Sequence, residues 1–105
     1  MPASMRHEDF SALLGRACRV RSLDREGGAV ELVGTLAEVG ERRERQGYEQ
    51  FALLFKVEEP GVPQQGSYAV EFDGEDAREI FLVPVAREGL RIAYEAVFNR
   101  AVGAA

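Results

Sequence analysis

Apolar and polar positions in the second half of the chain follow the grammar of β-strands. Tyr68 to Phe72, Ile80 to Val85 and Leu90 to Phe98 alternate or run apolar between short turns that contain glycine. A period of two that returns at about ten-residue spacing predicts antiparallel strands. Asp73-Gly74-Glu75-Asp76 forms one turn, and Glu88-Gly89 is read as a two-residue turn into the last strand. That turn sets Val85 opposite Ile92 and Val83 opposite Tyr94. The other face then carries Ile80, Leu82, Pro84, Ala93 and Val97, more apolar surface than a solvated sheet face normally shows. Either an N-terminal helix or a second protein chain covers it. Pro84 lacks a ladder donor and marks its strand as an edge or as bulged there.

The first half supplies three more elements. Phe10, Leu13 and Leu14 share one helical stripe over residues 7 to 15, with Glu8 and Asp9 near its start, Ser4 or His7 as cap candidates and Gly15 to stop it. A helix this short has to dock on the sheet to exist. A strand over Ala17 to Leu23 turns through Asp24-Arg25-Glu26-Gly27-Gly28 into a second that reaches Val39. Setting Ser22 opposite Val30 pairs Val20 with Leu32 and Cys18 with Gly34 on the buried side, and Arg21 with Glu31 on the wet side. The polar stretch Glu41 to Gly47 returns the chain into Tyr48 to Glu58. Leu36 opposite Leu53 then places Gly34 opposite Phe55, where a missing side chain leaves room for a ring. Pro60 to Gly66 is a loop, because its prolines lack donors and its glycines permit unusual φ.

At 105 residues there is room for one domain, read as residues 6–100, with 1–5 and 101–105 as loose ends. The hydrophobic share of 46% and charged share of 30% are those of an ordinary globular protein. A net charge of -5 disfavours sequence-independent binding to nucleic acid, which needs clustered Lys and Arg. The acid excess falls entirely after residue 45, where ten acids face five basic groups. One cysteine cannot form an internal disulfide, which suits a reducing compartment, and no stretch approaches a membrane span of about 20 apolar residues. Cytoplasmic residence and no membrane are the expectations.

No constellation names a reaction. His7 and Cys18 are the only members of their types and offer the one Cys/His nucleophilic pairing, but Cys18 alternates onto the buried side, where a thiol behaves as a small hydrophobe. One His and one Cys leave zinc short of ligands. The Asp73 to Asp76 turn offers carboxylates to calcium without the alternation of an EF-hand loop, and reads as a solvated turn. Among fourteen Glu and four Asp no pair stands out for glycoside cleavage. Glu41 to Arg45 mixes both signs and reads as a solvated loop rather than an anion-binding arginine patch. No glycine pattern forms a phosphate cradle. Tyr68, Phe72, Phe81, Tyr94 and Phe98 occupy core-facing positions, so the aromatics are read as packing and not as a base-stacking platform. No catalytic, cofactor or metal residue is expected, and no cofactor.

The combination of Phe10, Leu14, Gly15 and Val20, Phe51-Ala52-Leu53-Leu54-Phe55, Gln65-Gly66-Ser67-Tyr68, Phe81-Leu82-Val83-Pro84-Val85 and Tyr94-Glu95-Ala96-Val97-Phe98-Asn99 resembles an uncharacterised bacterial family of small β-rich proteins. Cys18 departs from that pattern, which more usually has an aromatic there. The resemblance implies a companion of tail-collar proteins related to phage tail fibres, incorporated in a phage-derived particle. It supplies no catalytic residue.

The resulting expectation is an all-β domain of about six antiparallel strands, mainly a meander, forming a small barrel or sandwich with one short N-terminal helix. Its function is read as non-catalytic: a structural or protein-interaction module that self-associates or binds a protein partner through Ile80, Leu82, Ala93 and Val97. The alternative is a small-ligand or carbohydrate-binding barrel with Tyr48, Tyr68 or Tyr94 at its mouth, although the absence of Trp counts against sugar stacking.

Overall fold

The first hairpin forms in the register its side chains require: in β1 (Ala17–Ser22) and β2 (Glu31–Val39), Val20 faces Leu32, Cys18 faces Gly34 and Arg21 faces Glu31. The computed structural model describes residues 6–23, 31–59 and 61–101. The Asp24 to Gly28 turn, the Ser22–Val30 pairing, Ser4 as a cap and the expected looseness of 1–5 and 102–105 lie outside the described residues. Ala101, expected to be loose, is instead the last residue of a strand and pairs with Tyr48.

The remaining strands are β3 (Arg43–Arg45), β4 (Tyr48–Glu58), β5 (Gly66–Phe72), β6 (Arg78–Glu88) and β7 (Arg91–Ala101). Antiparallel pairs β1–β2, β2–β4, β4–β7, β7–β6, β6–β5 and β5–β1 close a six-stranded barrel, and β3 adds to the free edge of β4 beyond its rim. The architecture is therefore a barrel and not a sandwich. β5, β6 and β7 meander as expected. The closing pairs β1–β5 and β4–β7 join strands far apart in sequence.

Two registers differ from expectation, and the parity of each shift decides its consequence. Leu36 lies opposite Phe55 and Gly34 opposite Val57, two residues from the expected pairing, so every side chain keeps its face. The ladder continues through β3 to a tight turn at Gln46 (φ 52) and Gly47 (φ 81), with a bulge between Leu36 and Glu38. Gly34 accommodates aliphatic neighbours rather than a ring: an added Cβ would sit 3.0 Å from Val57 Cγ2 and 3.5 Å from Val20 Cγ2.

The β6–β7 shift is odd. Its two-residue turn is Gly89-Leu90, with Gly89 at φ 61, so Glu88 pairs with Arg91; a bulge between Pro84 and Ala86 then sets Pro84 opposite Tyr94 and Val83 opposite Glu95. The bulge expected at Pro84 is present. The expected faces of β6 are exchanged: Ile80 and Leu82 point into the barrel, while Phe81 and Val85 point out.

Inward positions from all six barrel strands fill the interior. Val20, Leu36, Leu53, Phe55, Val57, Val70, Leu82, Ile92 and Tyr94 are buried almost completely, as expected for a barrel too narrow to hold more than its own side chains. The helix α1 (His7–Ala12) closes one end. Arg6 rather than His7 stands at its N-cap, its backbone N–H donating to Asp9 Oδ2 at 2.8 Å. The helix ends at Ala12 with Leu13 as its C-cap, short of the expected stop at Gly15; Gly15 (φ 84) closes the turn that follows and donates its N–H to the Leu36 carbonyl at 2.8 Å. Phe10 and Leu13 are buried but Leu14 is exposed. Phe10 packs on Phe98 at 5.4 Å and Phe51 at 6.1 Å, and those two rings stack at 4.9 Å. The helix thus docks on the barrel end, not on the outer face of β6 and β7.

Candidate functional site

The outward positions of β4, β7 and β6 assemble into rows across the barrel wall. Ala52 faces Val97, Leu54 faces Glu95, which in turn faces Val83, and Lys56 faces Ala93, which faces Ala86. Phe81, Val85 and Val97 are 54%, 52% and 70% exposed, whereas Leu54, Ala52, Val83 and Ala93 are half-buried among their neighbours. A shallow groove of about 190 Å3 crosses this wall between Glu38, Leu54, Lys56, Ala86, Glu88, Arg91 and Ala93.

Of the four interaction residues read from sequence, the structure brings Ala93 and Val97 to this wall and removes the other two. Ile80 (6% exposed) and Leu82 (0%) belong to the core, Ile80 opposite Tyr68 and Leu82 opposite Gly66. In their place stand Phe81, Val83 and Val85. The correction has a simple cause. The run Ile80 to Val85 is apolar at every position, so it carries no parity of its own; the later turn alone shifts the register by two and keeps the faces, and the extra residue in the bulge between Pro84 and Ala86 exchanges them. Phe81 is accordingly a surface ring, not the core ring expected. The other four aromatics in that set are buried or partly buried.

Beyond the barrel rim, β3, β4 and β7 form a three-stranded extension with two unlike faces. On the inner face Glu49 accepts from Arg100 Nε at 2.6 Å and from Arg42 Nε at 2.7 Å, while the Arg100 guanidinium lies over the Phe51 and Phe98 rings. Arg100 first, then Arg42, hold the Glu49 carboxyl below the ordinary carboxylate range. The outer face carries Arg43 beside Gln50 and Arg45 beside Tyr48. Neither Arg43 nor Arg45 has an ion-pair partner among the described residues. The polar stretch Glu41 to Gly47 was expected to be loop; β3 carries no apolar signal, and only the Gly47 turn hinted at a hairpin.

The remaining candidates take structural places. Cys18 is buried on β1, and burial pushes its thiol up to about 11. His7 Nε2 lies 2.8 Å from the Gly40 carbonyl and its ring meets Phe51 edge-on at 5.1 Å. Asp73 pairs with Arg19 at 3.3 Å. Among the described residues no group of three or more His, Cys, Asp and Glu could hold a metal, and no helix is long and apolar enough to cross a membrane. Tyr48 is exposed and stands apart from Tyr68 and Tyr94, which are buried and meet edge-on at 5.7 Å. Tyr48 opens β4 on the extension, Tyr94 is inside the barrel opposite Phe55, and Tyr68 donates its hydroxyl to the Gln64 carbonyl at 2.5 Å. Burial, and next the neighbouring Tyr68, raises the Tyr94 hydroxyl above the ordinary phenol range.

The chain belongs to the DUF6916 family, described as a domain of unknown function, which matches residues 5–98. No curated protein matches it, and no solved structure does.

Proposed function

We propose that this protein is a non-catalytic structural and protein-interaction module that docks through the outer wall of β4, β7 and β6. One observation carries the reading: Phe81, Val85 and Val97 stand exposed on the wall that also presents Ala52, Leu54, Val83 and Ala93 around Glu95, on a barrel whose interior is already filled. Folding does not require them there. Contiguous apolar surface of this kind marks interaction sites, and an aromatic anchor with aliphatic neighbours is the composition of an interface centre. Within this reading the module is an accessory or assembly partner of a phage-tail-like fibre protein, met in the cytoplasm before incorporation in a phage-derived particle. The resemblance to companions of tail-collar proteins supports that choice.

The test places a photo-crosslinking side chain at position 97, and in a control at position 19, in the native host. Protein adducts at position 97 but not at 19, containing this chain or a fibre-like protein, are the expected result. Absence of protein adducts at position 97, with a metabolite co-purifying in stoichiometric amount, overturns the reading in favour of a ligand-binding barrel.

A further inference from the structure

We propose that the protein partner of this wall docks as an extended segment, added as a strand in the seam where β6 and β7 part. The inference rests on the preceding reading and names the chemistry of the segment: an apolar residue and, two positions on, a Lys or Arg.

The ladder between β6 and β7 stops at Val83 and Glu95. Beyond it β6 runs on with β5 from Leu82 to Arg78, and β7 runs on with β4 to Ala101. The two edges that face each other there pair with no strand among the described residues. Pro84 decides which backbone groups they present. It stands opposite Tyr94 with no N–H to give, so theirs is the non-hydrogen-bonded kind of antiparallel pair. Val83 and Glu95, the next pair, therefore exchange both bonds, and alternation repeats that orientation at every second residue. Val97, Asn99 and Ala101 turn their N–H and C=O groups into the seam from one bank, and Phe81 and Glu79 do so from the other. Phe98 and Arg100 turn theirs to β4.

Donors and acceptors alternating along an open edge are complemented by an extended polypeptide. The side chains around them narrow its sequence. Phe81 and Val97 stand exposed at one level of the seam, on its outer side. Glu79 and Asn99 follow at the next outward level, both exposed, and Glu79 has no ion-pair partner among the described residues. An added strand thus sets one outward side chain between apolar neighbours and the next beside a carboxylate, which an apolar residue and a cation complement. The inner side is closed. Ile80 and Ala96 are buried and Phe98 packs on Phe10, so the seam offers backbone without opening the core. A lone segment suits this space, whereas β7 of a second barrel would bring its own β4 into the place held here by β6.

Amide hydrogen exchange followed by NMR tests the geometry first. In the free chain the Val97 and Asn99 amides should exchange at least about tenfold faster than those of Phe98 and Arg100, which bond to β4. The binding probe is a capped peptide, Thr-Val-Thr-Lys-Thr, titrated to about 2 mM. It should slow exchange at Val97 and Asn99 by about threefold and leave Arg19 on the opposite wall unchanged. Asn99→Pro removes an edge donor and spares the β4 ladder, so it should abolish this protection while thermal melting shows the chain folded. Glu79→Lys should weaken the peptide by about threefold, and a peptide with Glu in place of its Lys should regain the loss. Slow exchange at Val97 and Asn99 in the free chain overturns the proposal, as does absence of protection by the peptide or equal protection in Asn99→Pro. A protein adduct at position 97 in the host that persists in Asn99→Pro excludes strand addition and leaves the docking reading standing. If position 97 crosslinks to no protein at all, both fall.

Discussion

On the β1–β5 side of the barrel, Arg19 looks into solvent between Glu71 at 3.6 Å and Asp73 at 3.3 Å; on the β4–β7–β6 side the outward positions Leu54, Ala93, Val97, Val83 and Phe81 surround Glu95, with Lys56 beside Ala93. The inward positions of the two sides are alike, Val20 and Val70 on one, Phe55 and Leu82 on the other, all buried. The core therefore asks the same of both walls, and the contrast between their exteriors has no origin in the stability of the barrel. A charged exterior keeps a wall in water. An apolar exterior is tolerated in water and favoured only against another surface. The comparison separates side chains that hold the fold together from side chains that are free to serve recognition.

Neighbours on β6 give the sharpest way to break that comparison. Leu82→Ala removes a fully buried side chain and should lower stability by about 2 to 5 kcal/mol in urea unfolding. Phe81→Ser, one residue away on the other face, should shift stability by no more than about 0.5 kcal/mol. Equal effects would show that the outer row is part of the packing and remove the ground for an interaction surface.

A second measurement concerns acid stability. The Glu49 carboxyl is held below its unfolded value by Arg100 and Arg42. Its contribution is thus fully present above the unfolded carboxylate range and is lost as pH falls through the depressed folded value. Thermal melting should show a loss of stability in acid that is smaller in E49Q than in the parent chain. An identical pH profile in E49Q would place the acid sensitivity elsewhere, for instance on the Arg19 pairs of the opposite wall.

The smallest effect is expected at Cys18. Its thiol, pushed up to about 11 by burial, stays protonated at neutral pH. Labelling by a thiol reagent should proceed only as fast as the chain opens, and should accelerate in Leu82→Ala but not in Phe81→Ser. Rapid labelling of the parent chain would mean that the β1–β5 wall is less tightly closed than its burial indicates.

How much of this could be read from the chain depends on whether each segment carried its own phase. Arg19 to Arg21 alternates cleanly around Val20, and its hairpin register with β2 is found as expected. The even shift between β2 and β4 left the inward set Leu36, Leu53 and Phe55 intact, although their exact partners moved. β6 has no alternation, so its phase hangs on its register with β7; the extra residue of the bulge between Pro84 and Ala86 exchanges Phe81 for Leu82 and replaces half of the candidate surface. β3 was missed because Arg43-Glu44-Arg45 has no apolar face to announce a strand.

Alternation, glycine turns and the apolar helical stripe are local properties, and they determined the strand composition, the short helix and the inward side of most strands. Closure of the barrel through β1–β5 and β4–β7, the parity of β6, and the gathering of Leu54, Val97 and Phe81 onto one wall depend on contacts between residues far apart in sequence. Those contacts exist only once each strand has found both of its neighbours. The helix shows the same division: its stripe of Phe10 and Leu13 was legible, but only the closed barrel offered Phe51 and Phe98 as its seat and left the outer wall bare.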